Sequence, residues 1–345
     1  MGLREEIHEQ PQVAARILAE QRENIERIAV EIKRKDIAYV FLAARGTSDN
    51  AGRYAKYLWG AYNQIPLAMA TPSLFSIYQQ PPRLKNSLVV SISQSGKSPD
   101  IVSVMAEAKR QGQPTLTITN MPDSPLAEYA DWTIDVCAGE EKAVAATKSY
   151  TSSLMAAAML SCALSGDEER WEKLSMVPFW LEQVLTKEDQ LAYMAQRYRY
   201  MEACVVLGRG FQYATAYEWA LKMKEMCYVI ADPYSSADFQ HGPIALVEHG
   251  FPVMALANKG EVLGDMLGLM DLLRREHHVE LFTISDDNDA LRLANSALAL
   301  PAGIPEWISP IVSIVPAQLF TYHLTRVKGF DTESPRSLSK VTETF

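Results

Sequence analysis

The run Ser91-Ile92-Ser93-Gln94-Ser95-Gly96-Lys97-Ser98-Pro99-Asp100 has the residue types and spacing to hold an anion. The apolar stretch Leu88-Val89-Val90 enters it as a strand. A helix signal follows at once, with Ser98 suited to the cap and Pro99 to the first helical position. Ile101, Val104, Met105 and Ala108 then recur at helical spacing, and Gly112 supplies a stop. A strand ending in Ser-Gln-Ser-Gly at a helix N-terminus aims several N–H and O–H donors at one spot. The helix dipole adds about half a positive charge there. That arrangement fits one phosphate and requires neither lysine nor metal. An ordinary strand-to-helix turn with a capping serine is the plainer alternative.

Lys222 and Glu225 stand three residues apart in a segment, 220–228, predicted to be helical. They share one face, beside Trp219, Leu221, Met223 and Met226. A carboxylate held in a partly dry pocket suits proton abstraction, because burial raises its pKa toward working pH. The same spacing also describes a surface ion pair worth a few tenths of a kcal/mol. His241 precedes Gly242-Pro243 and therefore lies on a turn, where an imidazole can exchange protons with a ligand or simply face water. Lys340 sits in a terminal stretch rich in Ser, Thr and Arg, a mobile tail unless something ties it down. The remaining histidines, His8, His249, His277, His278 and His323, show no metal-ligand spacing. Gly208-Arg209-Gly210 lacks the third glycine of a dinucleotide turn. No metal and no cofactor is expected.

The elements that position these residues repeat. Val40-Phe41-Leu42-Ala43-Ala44-Arg45-Gly46 reads like Cys204-Val205-Val206-Leu207-Gly208-Arg209-Gly210, an offset of 210 − 46 = 164. Leu88 to Ser93 meets Pro252 to Ala257 at the same offset, and Gly96 falls on Gly260. Shared order over about a hundred residues indicates an internal duplication. Strands are expected near 38–44, 66–69, 87–92, 115–119 and 132–136, and again near 203–207, 229–232, 252–257, 279–284 and 297–300. Amphipathic helices fill the gaps, so each half is α/β with a parallel sheet covered on both faces. Ligands of such sheets bind at the carboxyl ends of the strands, where Gly46-Thr47-Ser48 and Ser93-Gln94-Ser95 would both lie. The opening 35 residues read as a helical arm with Val13, Ile17, Ile25 and Ile28 on one side, and 168–198 as a helical link.

The totals bound the reading. The 345 residues, 48% hydrophobic and 22% charged, suffice for two globular domains with sizeable cores. A net charge of −9 argues against nucleic-acid binding. The longest apolar stretch, 154–164, is too short to span a bilayer, and the charged N-terminus has no signal-peptide core. Cys137, Cys162, Cys204 and Cys227 form no CxxC pair and read as buried thiols of a cytoplasmic protein.

Six motifs in order resemble the double sugar-isomerase (SIS) domain family: Gly46-Thr47-Ser48, Ser93-Gln94-Ser95-Gly96, Thr147-Lys148, Lys222-Met223-Lys224-Glu225, His241-Gly242-Pro243 and Pro335-Arg336-Ser337-Leu338-Ser339-Lys340. Nearly the whole chain is similar to the isomerase half of glutamine-dependent glucosamine-6-phosphate synthase. It is closer still to stand-alone type II glucosamine-6-phosphate deaminases. The resemblance implies two tandem SIS domains, each a flavodoxin-like three-layer αβα sandwich with a five-stranded parallel sheet. Their expected limits are 36–190 and 191–334, with an N-terminal helical arm at 1–35 and a tail at 335–345 that closes the active site.

By the same resemblance, Ser93, Gln94, Ser95 and Ser98 bind the 6-phosphate of a small phosphosugar. Gly46, Thr47, Ser48, Val144 and Ser339 meet the sugar. Glu225 moves the proton between C1 and C2 with Lys222 beside it, and Lys340 closes over the substrate. His241 opens the ring from a second subunit, which implies a homodimer with shared active sites. Arg45 stands where the synthase has cysteine, Lys97 where it has glutamate, Ala146 where it has serine and Ser339 where it has alanine. Arginine before Gly-Thr-Ser-Asp points to the deaminase branch, and Ala146 removes one hydroxyl contact. No glutaminase-like segment precedes the region, so the expected direction is glucosamine 6-phosphate plus water to fructose 6-phosphate plus ammonia. The scaffold also accommodates a fructosamine-6-phosphate deglycase, a galactosamine-6-phosphate deaminase or a non-catalytic sugar-phosphate sensor. A sensor of the DNA-binding kind lacks its second, recognition helix here.

Overall fold

Continuous apolar runs flanked by amphipathic helices form two parallel sheets. The computed structural model describes residues 2–340. The first sheet contains β1 (Tyr39–Ala43), β2 (Leu67–Met69), β3 (Ser87–Ser93), β4 (Thr115–Thr119) and β5 (Trp132–Asp135). The second contains β6 (Ala203–Gly208), β7 (Ile230–Ser235), β8 (Pro252–Leu256), β9 (Glu280–Ser285) and β10 (Ser296–Ala299). Their orders, β2-β1-β3-β4-β5 and β7-β6-β8-β9-β10, are the same pattern. Strand starts keep the offset to within one residue: 203 − 39 and 296 − 132 give 164, 230 − 67 gives 163, and 252 − 87 and 280 − 115 give 165. The α/β fold and the duplication expected from the sequence are both present.

Three local expectations change. Strand β7 runs on through Asp232-Pro233-Tyr234, past its expected end at 232. It is an edge strand, where a missing N–H is tolerated. The segment 168–198 is three helices, Glu168–Ser175, Val177–Leu185 and Glu188–Arg197. The N-terminal arm is two helices, Leu3–His8 and Gln10–Lys33, the second carrying Pro11 in its first turn, where its missing donor costs nothing.

The chain divides into two compact units. One comprises Glu9–Glu141, Lys148–Met176 and, of the described residues of the tail, Ser339 and Lys340. Its helix Lys148–Ser165 is buried almost throughout and packs on Gln10–Lys33 and Gly46–Asn63, and the indole of Trp59 donates to the Ala157 carbonyl at 3.0 Å. The other unit comprises the helix Leu3–His8, Lys142–Thr147 and Val177–Leu338. Trp219, Phe282 and Phe320 meet edge-on or tilted, with ring centroids 4.9–5.9 Å apart, and fix the helix Gln212–Lys222 against β9. All four cysteines are free and buried, and burial pushes the thiols of Cys137, Cys162 and Cys227 up to about 12. Among the described residues, no helix is long and apolar enough to cross a membrane.

At the carboxyl end of β8, Gly260 has φ +153, and a Cβ there would lie 2.1 Å from Cδ of Glu306. Glycine thus admits a carboxylate against the loop, where Oε2 of Glu306 accepts from the Glu261 N–H at 3.1 Å.

Glu188 anchors the helix Leu3–His8. Its carboxylate accepts from Arg4 Nε at 2.7 Å and Nη2 at 2.8 Å, and pairs with the ring nitrogens of His8 at 2.8 Å and His323 at 3.0 Å. Burial alone would raise its pKa, but the bonds from Arg4, His8 and His323 outweigh it and hold the carboxyl at about 2. A depressed carboxyl pKa stabilises the fold above the unfolded value of 4.5, and that contribution is lost as pH falls toward about 2. Urea unfolding of wild type and Glu188→Gln should therefore differ by about 2 kcal/mol at neutral pH, after allowance for the exposed Arg4, and converge as pH falls through about 2. A difference that persists unchanged at low pH would refute the linkage.

Candidate active site

In both sheets the strand order reverses beside the first strand of the repeat, the place where doubly wound sheets open a crevice at their carboxyl ends. In the first sheet that point lies between β1 and β3. The loop after β1 carries Gly46, Thr47 and Ser48 into the helix Gly46–Asn63, and the loop after β3 carries Ser93, Gln94, Ser95 and Ser98 into Pro99–Arg110. An ion pair joins the two loops: Arg45 Nε donates to Oδ2 of Asp100 at 2.8 Å, and Asp100 is fully buried. Its other oxygen accepts from the Ile101 N–H at 2.9 Å.

The donors in the second loop differ from the sequence expectation in detail. The Gly96 N–H is taken by Ser93 Oγ at 3.1 Å, and the Lys97 N–H reaches Ser95 Oγ at 3.4 Å. The hydroxyls therefore accept from their own loop and keep their protons to donate. Ser98 occupies the N-cap position with extended backbone, but its side chain makes no cap bond. Gly96 has φ +62, and a Cβ there would lie 2.0 Å from Ser124 Oγ. Only glycine lets this loop close against Ser124.

The tail is tied down. Lys340 Nζ donates to Oε2 of Glu141 at 2.7 Å, and Glu141 is fully buried. The same carboxylate accepts from the Ser149 N–H at 3.0 Å and its hydroxyl at 2.8 Å, at the start of the helix Lys148–Ser165. Ser339 is exposed beside Lys340. The expected tail continues over 341–345, outside the described residues.

In the second-sheet unit the helix Gln212–Lys222 passes into a π-helical turn, Met223–Cys227, that carries Glu225. Such single turns are frequent at functional sites. Lys222 is 2% exposed, and its ammonium lies 2.6 Å from Glu225 Oε2 and 3.3 Å from Oε1 of the fully buried Glu218. Burial would push the Lys222 pKa down, yet the charges of Glu218 and Glu225 prevail and hold it above its ordinary range. Glu225 keeps 23% of its side chain exposed, unlike the buried Lys222 and Glu218. His241 is exposed at the C-terminus of the helix Ser236–Gln240, and Gly242 after it has φ +133. Half-buried Val144 belongs to this unit too, on the segment Lys142–Thr147.

The structure thus gathers Gly46, Thr47, Ser48, Ser93, Gln94, Ser95 and Ser98 on the loops of the first sheet, and places Ser339 and Lys340 in the same unit. Lys222, Glu225, His241 and Val144 lie in the other. Sequence reasoning missed Asp100, Glu141 and Glu218. Only Glu218 left a local signal, four residues before Lys222 on one helix face.

A family profile for the SIS domain matches the chain twice, over residues 35–163 and 202–328. The chain belongs to the SIS domain family. Across 348 aligned residues it is 32% identical to the isomerizing glutamine–fructose-6-phosphate aminotransferase of Thermus thermophilus, covering 97% of this chain and 57% of that protein. The SIS chain therefore spans little more than half the length of the curated relatives it matches. It superposes on the C-terminal domain of glucosamine-fructose-6-phosphate aminotransferase from Francisella tularensis with a TM-score of 0.85 and 28% identity, covering 96% of this chain and 98% of that one. Glucosamine-6-phosphate deaminase from Thermotoga maritima shares the double SIS fold, with a TM-score of 0.78 at 20% identity over 99% of each chain.

The Gly96 contact yields a direct test. Gly96→Ala should destabilise the protein by about 2–4 kcal/mol, through left-handed strain and the clash with Ser124. Adding Ser124→Gly should recover about half of the loss in a urea titration. No recovery would show that Ser124 is not the obstacle.

Proposed function

We propose that the chain is a phosphosugar enzyme that deaminates and isomerises an amino-sugar phosphate, converting glucosamine 6-phosphate and water to fructose 6-phosphate and ammonia. The observation that carries this reading is the Lys222–Glu225 pair, a partly open carboxylate held 2.6 Å from a buried ammonium on a π-helical turn. A base for carbon acids must be fixed in place and remain reachable, and Glu225 meets both needs.

Ser93, Gln94, Ser95 and Ser98 hold the phosphate, while Gly46, Thr47, Ser48, Val144 and Ser339 meet the sugar. His241, exposed on its turn and supplied by a second copy of the chain, donates a proton to the ring oxygen and takes the anomeric hydroxyl proton, giving the open aldehyde. Glu225 removes the C2 proton, the electron pair forms the C1=C2 double bond, and the aldehyde oxygen takes up a proton, giving an enolamine. Glu225 then returns its proton to C1 while the amino group gives up one proton in exchange for the one taken up at O1, and the product is a ketose imine with a hydroxyl on C1. Water adds to its carbon, the C–N bond breaks, and ammonia leaves with the ketone. Lys222 holds the Glu225 carboxylate in place, and Lys340 lies over the sugar and excludes water. Similarity to the T. thermophilus aminotransferase supports the substrate class, and Arg45 before Gly46-Thr47-Ser48 supports the deaminating direction.

Purified protein should release ammonia and fructose 6-phosphate in equal amounts from glucosamine 6-phosphate. Glu225→Gln should lower turnover by about a thousandfold while substrate affinity changes by less than about threefold. Release only from galactosamine or fructosamine 6-phosphate would move the substrate. Binding without release from any amino-sugar phosphate would leave a sensor and end the enzymatic reading.

A further inference from the structure

We infer that Glu6 is a positioning residue for the sugar contact made by Val144; the inference rests on the role of Val144 proposed above. Glu6 is fully buried on the helix Leu3–His8. Its Oε1 accepts from the Lys142 N–H at 2.5 Å, and both of its oxygens lie 3.3 Å from the Ala143 N–H. Two successive backbone donors converge on one carboxylate, one and two residues before Val144. A buried carboxylate demands such donors, and charge-assisted bonds of this kind are stronger than neutral ones.

The segment Lys142–Thr147 is neither helix nor strand. Burial alternates along it: Ala143, Ala145 and Thr147 are buried, while Val144 and Ala146 are half-buried. Val144 and Ala146 thus share the more open side, and a twist at 142–143 would turn both away. Glu6 resists that twist, because its own helix is fixed at several points. Arg4 and His8 close on Glu188, and the Leu3 N–H donates to both oxygens of Glu333 at 3.2 and 3.1 Å. The phosphate-binding loop belongs to the other unit, so loss of the Glu6 clamp should weaken sugar recognition and spare phosphate recognition.

The test compares wild type, Glu6→Ala and Glu6→Gln in three measurements. These are KM and kcat for ammonia release from glucosamine 6-phosphate, the inhibition constant of inorganic phosphate, and amide hydrogen exchange at Lys142 and Ala143. Glu6→Ala should raise KM about tenfold, with kcat and the phosphate constant within about twofold of wild type and both amides exchanging faster. Glu6→Gln keeps one carbonyl acceptor and should fall between. It also serves as the readable variant where Glu6→Ala fails to fold. An unchanged KM despite faster exchange would make Glu6 purely structural. A parallel rise in KM and the phosphate constant would mean general loosening, and either result overturns the inference. A wild-type protein that releases no ammonia would instead sink the proposed reaction. The dissociation constant for glucosamine 6-phosphate then replaces KM, and an unchanged value in Glu6→Ala overturns the role of Glu6.

Discussion

A lysine ammonium sealed from water sets the terms for the second half of this protein. Burying such a charge without partners costs several kcal/mol even after relaxation, so Lys222 can persist only beside carboxylates. It has two, Glu218 and Glu225. Glu218 is fully buried, whereas Glu225 keeps 23% of its side chain exposed. The π-helical turn at Met223–Cys227 lets the helix hold Lys222 inward while Glu225 reaches outward. The aromatic packing of Trp219 against Phe282 and Phe320 keeps this arrangement in place.

Buried acids recur as clamps elsewhere. Glu141 gathers Ser149 and Lys340, Asp100 joins the loops after β1 and β3 through Arg45, and Glu188 draws Arg4, His8 and His323 together. Each replaces several water hydrogen bonds by oriented donors, and the requirement for full satisfaction is what makes the geometry specific. In a chain with net charge −9, many acids face solvent, while these few tie together segments far apart in sequence.

The apolar runs made the strands and their duplication legible, because a strand buried on both faces leaves an uninterrupted hydrophobic signature. The loops after β1 and β3 were legible for a related reason, since glycines and hydroxyls cluster where backbone must turn and donate. The Lys222–Glu225 pair was legible because helical spacing brings it together locally. The Glu6–Lys142, Arg45–Asp100 and Glu141–Lys340 contacts were not. They join residues 136, 55 and 199 positions apart, and nothing in the neighbouring sequence of an acid reveals which distant donor will fold onto it. Strand β7 escaped at Pro233 because an edge position, a property of the sheet, decides whether proline is tolerated.

Glu306 gives the duplication its asymmetry. By the offset of 164, the residues matching Ser93, Ser95 and Ser98 are Ala257, Lys259 and Val262, so the hydroxyl donors of the first loop have no counterparts in the second. The glycine that meets Ser124 in one half makes room for a carboxylate in the other. A phosphate ester approaching the mouth of the second sheet would encounter a fixed like charge already bonded to the Glu261 amide. One copy of the duplicated fold keeps a loop of open hydroxyls, and in its twin the same position is stoppered from within by a carboxylate.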